Sequence, residues 1–515
     1  MKRILGIELG STRIKAVLIN EKAEVIVEGA HEWESSLVDG LWSYSLDEVK
    51  AGLRASFRAL SQDYAEKFGE SLRSVDAIGV SAMMHGYLAF DSEDKLLVPF
   101  RTWRNSNTAA AADELTELFG FNIPMRWSVS HYYNAVKLGE EHIKDVAHLT
   151  TLSGYVHYKL TGKRVIGLGD ASGMFPVSSG GFDEEKLALF NSRLKENGVE
   201  ARFESLLPTP LYAGEFAGVL TEEGARFLDE SGELLPGAVL CPPEGDGGTG
   251  MVATGCVAPK SANVSAGTSV FLMAVLESEP EFLNKNIAVV RTPHGAAVAM
   301  VNANSFTTEI TAWVNLFCEL AALCGGSVGR GELYERLFLK SAEADADLGG
   351  LLGYNFLSAE PVVDISDAAP LIIRKPGAKL TLSNFMKMNI YSALASFAVA
   401  CELLSSVGVE IEEVVGHGGF FKTPAISCSA MSAAVGAPVT VMKNAGEGGA
   451  WGISLRALFT YSGGGNLEKF LADIFRSSEK ITLAADECEK RNFNDFLERY
   501  KRGLSVAKLA GKGIN

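Results

Sequence analysis

The chain lacks most of the features that would mark it for an oxidising compartment, a nucleic acid or a membrane. Its seven cysteines (Cys241, Cys256, Cys318, Cys324, Cys401, Cys428, Cys488) form no C-x-x-C pair, and an odd, sparse set in a long chain suits reduced thiols buried as small apolar side chains. Lys and Arg number 47 against 63 Asp and Glu, a formal net charge of −16 with no long basic cluster. That balance excludes a general binder of the nucleic-acid phosphate backbone. No H-E-x-x-H occurs, and His142 and His148 lack a zinc-ligand spacing. The opening "MKRILGIELG" meets an acid and a glycine before a signal-length apolar region forms, and no apolar run reads as long enough to span a bilayer. The expectation is a soluble, cytoplasmic protein with neither membrane nor nucleic acid as partner. G-x-x-x-x-G-K-[ST] is absent as well, and no G-x-G-x-x-G follows a first strand, so neither common nucleotide signature applies.

What is present is an α/β rhythm in a chain of 515 residues, longer than one hydrophobic core usually serves. "ILGIELGSTRIKAVLI" (4–19) predicts a β-hairpin closed by a Gly-Ser-Thr turn, and "SANVSAGTSVFLMAVLE" (261–277) repeats the plan. Two such hairpins suggest two domains built alike, with a junction near "GCVAPKSA", where Pro259 and small residues interrupt the pattern. The expected domains are 1–256 and 257–515. Between the hairpins, "LDEVKAGLRASFRALSQDYAEKF" predicts a helix, "VDAIGVSA" a strand and "TAAAADELTELFG" a helix. After the second hairpin, a long helix ends at Gly408. A strand into a Gly-rich loop follows ("IEEVVGHGG"), then a helix, the strand "APVTVM" and the helix "GGAWGISLRALFTY".

Three glycine-containing turns carry anion-binding chemistry. Gly10, Ser11 and Thr12 can aim backbone N–H groups and hydroxyls at a phosphate, with Lys15 nearby as a point charge. Gly267, Thr268 and Ser269 form a second turn of this kind; Gly418 and Gly419 with Lys422 and Thr423 form a third. An ordinary hairpin turn with a solvated lysine accounts for the same letters. In "PPEGDGGTG" (242–250), Asp246 lies between glycines before a helix. It reads either as an N-cap or as a carboxylate that a ligand reaches because the neighbouring backbone lacks side chains.

The order of these parts, with "GVSAMMHGYLAFD", "TWRN", "YVHYKLTGKRVIGLGDASGMF" and "GEGGAWG", resembles the FGGY family of carbohydrate kinases, most of all xylulose kinases and their relatives. The resemblance runs over nearly the whole chain. It implies two actin-like (ribonuclease H-like) ATPase domains with the active site in the cleft between them, and ATP-dependent phosphorylation of a sugar, with D-xylulose to D-xylulose 5-phosphate first. L-ribulose, L-xylulose, other ketoses or polyols, or a regulatory protein that has lost phosphoryl transfer, are the alternatives. By resemblance Asp246 is the catalytic base, and Met84, His85, Trp103, Asn105 and Gly247 join it at the sugar. Gly10, Ser11, Thr12, Lys15, Gly267 and Thr268 hold ATP phosphates, Gly418, Gly419 and Lys422 border the adenosine, and Glu8 with Asp246 faces Mg²⁺. Family members are often dimers, so a homodimer is compatible. Three departures stand out: Glu8 where the family usually has Asp, Met83 where xylulose kinases usually show Gln, and "WRNSN" for a tryptophan–Asn–Asp run. The first lengthens the carboxylate arm by one C–C bond, about 1.5 Å.

Overall fold

The structure is a computed structural model that describes residues 1–178, 180–442, 448–476 and 478–514. The chain forms two compact units. In the first, a seven-stranded sheet is built from β1 (Ile4–Leu9), β2 (Arg13–Ile19), β3 (Val25–Glu32), β4 (Ala77–Ala82), β5 (Gly218–Val219), β6 (Val239–Leu240) and β7 (Glu244–Gly245), in the order β5-β6-β4-β1-β2-β3 with β7 also on β4. β1, β2 and β3 form an antiparallel meander, whereas β4, β6 and β7 run parallel to β1 or to one another. The near-continuous apolar run of β1 follows from covering on both faces, as in parallel sheets. The helix Leu46–Phe68 matches its sequence-predicted limits. Ser45 and Glu48 close a capping box at its start, and Gly69 ends it at φ 73°.

The second unit repeats the plan with β8 (Ser261–Ala266), β9 (Val270–Val275), β10 (Ala297–Ala303), β11 (Glu413–His417), β12 (Val439–Met442) and β13 (Lys480–Leu483), in the order β10-β9-β8-β11-β12-β13. A hairpin, β8–β9, is followed by two parallel neighbours, β11 and β12, and an antiparallel edge, β13. The internal repeat glimpsed in two hairpins therefore extends to whole sheets.

The units are not the two continuous stretches 1–256 and 257–515. The first runs to Ala258 and takes back two later stretches, around 277–298 and 448–476. Arg291 fastens one of them: its backbone N–H donates to Ser172 Oγ at 3.0 Å and its guanidinium to the Val177 carbonyl. The other brings the helix Gly448–Tyr461 onto the sheet, where a Cβ on Gly6 would lie 2.0 Å from the Ala450 carbonyl oxygen. Only glycine permits that approach. Within the same unit Arg456 pairs with Glu244 at 2.8 Å, both side chains fully buried.

The core of the second unit is the helix Leu382–Ser406, started by Thr381, whose side chain accepts from the Asn384 N–H. By length and composition this helix could cross a membrane, which corrects the reading that no segment is long enough. It is nonetheless mostly buried against its own unit, and Lys387 within it pairs with Glu489 at 2.6 Å. The cysteines are all free, but only Cys241, Cys256, Cys401 and Cys428 are buried. Cys318 is partly exposed, and Cys324 and Cys488 are exposed.

Candidate active site

Parallel strands gather whatever follows them at one sheet edge, and ligands of open α/β sheets bind at such ends. In the first unit the strands β1, β4 and β7 end together, with Glu8 opposite Ser81, Leu9 opposite Ala82, and Gly245 opposite Ala82. They deliver Gly10–Thr12, Met83–Gly86 and Asp246–Gly247 to one place. Asp246 is the first residue of the helix Asp246–Thr254, and Gly245 is the N-cap. The capping reading of Asp246 is thereby corrected: its Oδ1 accepts from the Met84 N–H and the Gly247 N–H, each at 3.0 Å, and ties the helix start to the end of β4. Solvent reaches the Asp246 side chain. The protein packed around it still disfavours its charge and raises its pKa, opposed by those N–H groups and by Arg126.

Glu8 lies beside this carboxylate. Burial first, and then the charge of Asp246, push its pKa up to about 7. Gly449 leaves room for its carboxylate, since a Cβ there would lie 2.0 Å from Glu8 Oε1. Lys15 faces Ala30 and Glu8 across the sheet and pairs with Glu28 at 2.7 Å. It works within a charge network and not as a solvated point charge. The turn itself closes with Gly10 N–H donating to the Arg13 carbonyl, while the Gly10 and Ser11 carbonyls accept from Trp33 and Tyr44. Ser11 and Thr12 are left exposed.

Met84 and His85 line the next wall. Met84 is 8% exposed and packs against Gly245 and Gly173. His85 adopts φ 73°, uncommon for a residue with a Cβ. Burial, then the Arg126 charge, hold its pKa well below the usual value, so it is a neutral imidazole at any physiological pH. Its Nδ1 lies against Gly173, whose backbone offsets part of that effect. The Gly86 N–H donates to the Arg126 carbonyl at 3.1 Å and Ser128 Oγ to the Gly86 carbonyl at 2.6 Å. These bonds stitch residues 84–86 to the start of the helix Ser128–Leu138.

Two expected sugar contacts are placed differently. Both amide hydrogens of Asn105 are spent on the Trp42 and Thr102 carbonyls, and its Oδ1 accepts from the Trp42 N–H at 2.8 Å. Asn105 is therefore corrected from a sugar ligand to a brace of its own turn. Trp103 stands 43% exposed on that turn. The indole packed near His85 is Trp127, fully buried, with ring centroids 6.5 Å apart. Sequence reasoning missed Trp127, Arg126 and Asp170. Asp170 lies inside a quoted motif, but Arg126 and Trp127 carry no motif at all. Asp170 Oδ2 accepts from Thr151 and Ser153, and burial followed by Glu244 pushes its pKa up to about 7.

In the second unit, the Gly267–Thr268 turn and the Gly418 loop meet. β8 and β11 run parallel, and Gly418, at φ 105°, presses on β8 so closely that a Cβ would lie 2.4 Å from the Ala266 carbonyl oxygen. The Gly267 and Thr268 carbonyls accept from Thr307 Oγ1 and the Phe306 N–H. Gly419 and the exposed Lys422 lie on the short turn Gly419–Lys422. Of "GEGGAWG", Gly446 and Glu447 lie outside the described residues. Among the described residues, no group of three or more His, Cys, Asp or Glu gathers as a metal site.

Residues 3–228 match the N-terminal domain and residues 262–461 the C-terminal domain of the FGGY family of carbohydrate kinases. The chain is 24% identical over 445 residues to a xylulose kinase of Haemophilus influenzae, covering 84% of each chain. Its fold is that of a xylulose kinase from Lactobacillus acidophilus, with TM-score 0.79 and 14% identity over 99% of this chain and 100% of that one. A gluconate kinase from the same species superposes as well, with TM-score 0.80 and 15% identity over 99% of both. With both domains matched in order on the two-domain actin-like fold, the chain belongs to the FGGY family of carbohydrate kinases, ATP-using enzymes that phosphorylate sugars, and is xylulose kinase-like.

Proposed function

We propose that the chain transfers the γ-phosphoryl group of ATP to a terminal hydroxyl of D-xylulose, with Asp246 as general base. The observation that carries this reading is a solvent-reachable carboxylate held by two backbone N–H groups where three strand ends converge. A raised pKa makes it a stronger proton acceptor than an ordinary aspartate. As the sugar oxygen bonds to Pγ and the Pγ–O bond to ADP breaks, the hydroxyl proton passes to Asp246. Met84 and the neutral His85 position the sugar. D-xylulose leads because xylulose kinases recur among the relatives.

The exposed Gly10–Thr12 turn, with Lys15 behind it, and the Gly267–Thr268 turn suit the phosphates. Gly418, Gly419 and Lys422 suit the adenosine edge. Two neighbouring carboxylates, one of which raises the proton affinity of the other, are a donor set that a divalent cation satisfies, so Glu8 and Asp246 would hold Mg²⁺. Bound there, the ion supplies neutralisation of phosphate charge.

The test is Mg²⁺-dependent ADP release across ketopentoses, ketohexoses and polyols, with Asp246→Asn as control. Stimulation by D-xylulose in the wild type and not in the variant supports the reading. Undiminished turnover in Asp246→Asn removes Asp246 as base. For the cation, Mg²⁺ should raise the Tm of the wild-type protein more than that of Glu8→Gln; equal shifts remove Glu8 from its shell.

A further inference from the structure

β10 ends at Ala303, and residues 304–307 then lead into the helix Thr308–Leu323 of the second unit. On one side this segment holds the Gly267–Thr268 turn. The Phe306 N–H donates to the Thr268 carbonyl at 3.0 Å, and Thr307 Oγ1 donates to the Gly267 carbonyl at 2.5 Å. Thr307 is the N-cap of the helix, yet its side chain makes no capping bond. Its hydroxyl serves the turn in place of the helix start that a threonine cap usually satisfies. A trans peptide points its N–H opposite to its C=O. Fixing these two carbonyls therefore aims the Thr268 and Ser269 N–H groups at the other side of the turn, where both residues are exposed. The buried Phe306 ring also packs on Phe420 of the Gly419–Lys422 turn, with centroids 4.9 Å apart.

On its other side the segment is gripped by the loop after the strand Leu351–Tyr354. Asn355 Nδ2 donates to the Ser305 and Phe306 carbonyls at 2.9 and 3.2 Å. Ser305 Oγ accepts from the Leu357 and Ser358 N–H groups, and Asn304 Nδ2 donates to the Ala359 carbonyl. Glu360 completes the grip: its Oε2 accepts from the Asn304 N–H at 2.8 Å and from the Ser305 N–H at 3.2 Å. Consecutive N–H groups converging on one oxygen form a small anion nest, and here the anion is supplied by the chain itself. Two backbone bonds to Ile365 pin Glu360 in turn.

Glu360 is fully buried on this loop, and no Lys, Arg or His pairs with it among the described residues. Burial pushes its carboxyl up to about 7, opposed by the two N–H groups it receives. Burying an acid without a counter-ion costs stability, so the position calls for a role that an apolar residue would not fill. We infer that Glu360 is a positioning residue for nucleotide binding, which through residues 304–307 fixes the Gly267–Thr268 turn in the form that receives phosphates. It acts through the segment and not by touching a substrate. The inference rests on the reading that this turn holds ATP phosphates, and its test includes a variant that probes the turn directly.

MgADP and D-xylulose are each titrated calorimetrically into the full chain, and KM and kcat are measured with Mg²⁺, ATP and D-xylulose. The variants are Glu360→Ala, Glu360→Gln, Thr307→Val and Thr268→Asp, each studied well below its Tm. Glu360→Ala should weaken the MgADP Kd and raise the KM for ATP about 3- to 30-fold, the span for a residue that acts through a packed network. The D-xylulose Kd and the kcat at saturating ATP should stay within about twofold. Glu360→Gln keeps an acceptor oxygen and should recover most of the loss. Thr307→Val removes only the hydroxyl bond to Gly267 and should raise the KM for ATP in the same direction; it carries the test if Glu360→Ala does not fold. Thr268→Asp places a negative charge in the turn and should weaken MgADP more than about tenfold. If Thr268→Asp loses nucleotide while Glu360→Ala and Thr307→Val bind it normally, the inference is overturned and the reading of the turn stands, whatever happens to Tm. An equal loss in Glu360→Gln and Glu360→Ala overturns it too, because the acceptor oxygen would not be what matters. If the wild type does not bind MgADP, or Thr268→Asp binds it as well as the wild type, phosphates do not sit at this turn, and the reading and the inference fall together.

Discussion

The two hairpins that first suggested a repeat differ where chemistry requires it. Glu8 and Ser265 each stand two residues before the turn glycine, Gly10 or Gly267, and each faces a parallel neighbour, Ser81 or His417. One position carries a carboxylate with a pKa near 7; the other carries a hydroxyl. The pattern extends along both sheet edges. Buried or half-buried charge (Glu8, Asp170, Arg126, Glu244 with Arg456) gathers in the first unit, whereas the matching edge of the second is glycine, threonine and a neutral histidine. One framework thus holds two kinds of strand end: one gathers carboxylates with raised proton affinity, the other permits close backbone approach. Sheet order belongs to the shared plan; charge is what distinguishes the copies.

The harshest way to break that asymmetry is Asp246→Asn, which should lower sugar phosphorylation about 100- to 10,000-fold, the range for losing a general base, while ATP binding measured by titration persists. Removing the charge beneath the sheet should act on folding. Arg456→Met leaves Glu244 buried and uncompensated, an expected loss of about 3–5 kcal/mol in urea unfolding, whereas replacing both members with apolar residues should restore much of it. Glu8→Gln gives β1 the neutral character of its counterpart and should cut activity about 10- to 100-fold, as when a group that orients a metal shell is lost. In the second unit the contrast is steric. Gly418→Ala must displace Ala266 and adopt a strained φ, about 1–3 kcal/mol less stable with a raised KM for ATP, while Gly419→Ala meets nothing within 4 Å and should be near neutral.

The smallest effect sharpens the comparison by pH. Glu8 binds its proton more tightly in the folded chain than in the unfolded one, so its contribution to stability is greatest below about pH 4.5 and is lost as pH rises toward 7. Asp170 has the same sign. In EDTA, the fall in Tm between pH 5 and pH 8 should be about 1–3 °C smaller for Glu8→Gln than for the wild type. An identical fall would mean that Glu8 titrates normally.

Most of the fold could be read from the letters, because hairpins, capped helices and strand–glycine–helix joints are local. The helices Leu46–Phe68 and Gly448–Tyr461 match their expected limits, and both hairpins fall where the pattern puts them. What escaped was non-local. Nothing in "GGAWGISLRALFTY" announces that it covers the sheet of the first unit, because the cause is the missing Cβ of Gly6, more than 400 residues away in sequence. Around the candidate site, the positions of Asp246 and Glu8 beside glycine turns were legible in the sequence. Arg126 and Trp127 were not, since a lone arginine before a tryptophan looks like any surface pair until the chain brings it beside His85. Asn105 misled for the opposite reason: its letter fits a sugar ligand, and only the hydrogen-bond partners show that its amide is occupied.

The late return of Gly448–Tyr461 to the first sheet also sets an order of events during synthesis. Strands β1 and β4 leave the ribosome early, yet the helix that covers them, with the arginine that neutralises Glu244, is translated hundreds of residues later. Until then the nascent first unit exposes an apolar sheet face and a carboxylate without its counter-ion. A ribosome-bound chain that stops short of this helix should therefore recruit holdase chaperones, and the sheet end that carries Asp246 is covered only once Gly448–Tyr461 has been translated.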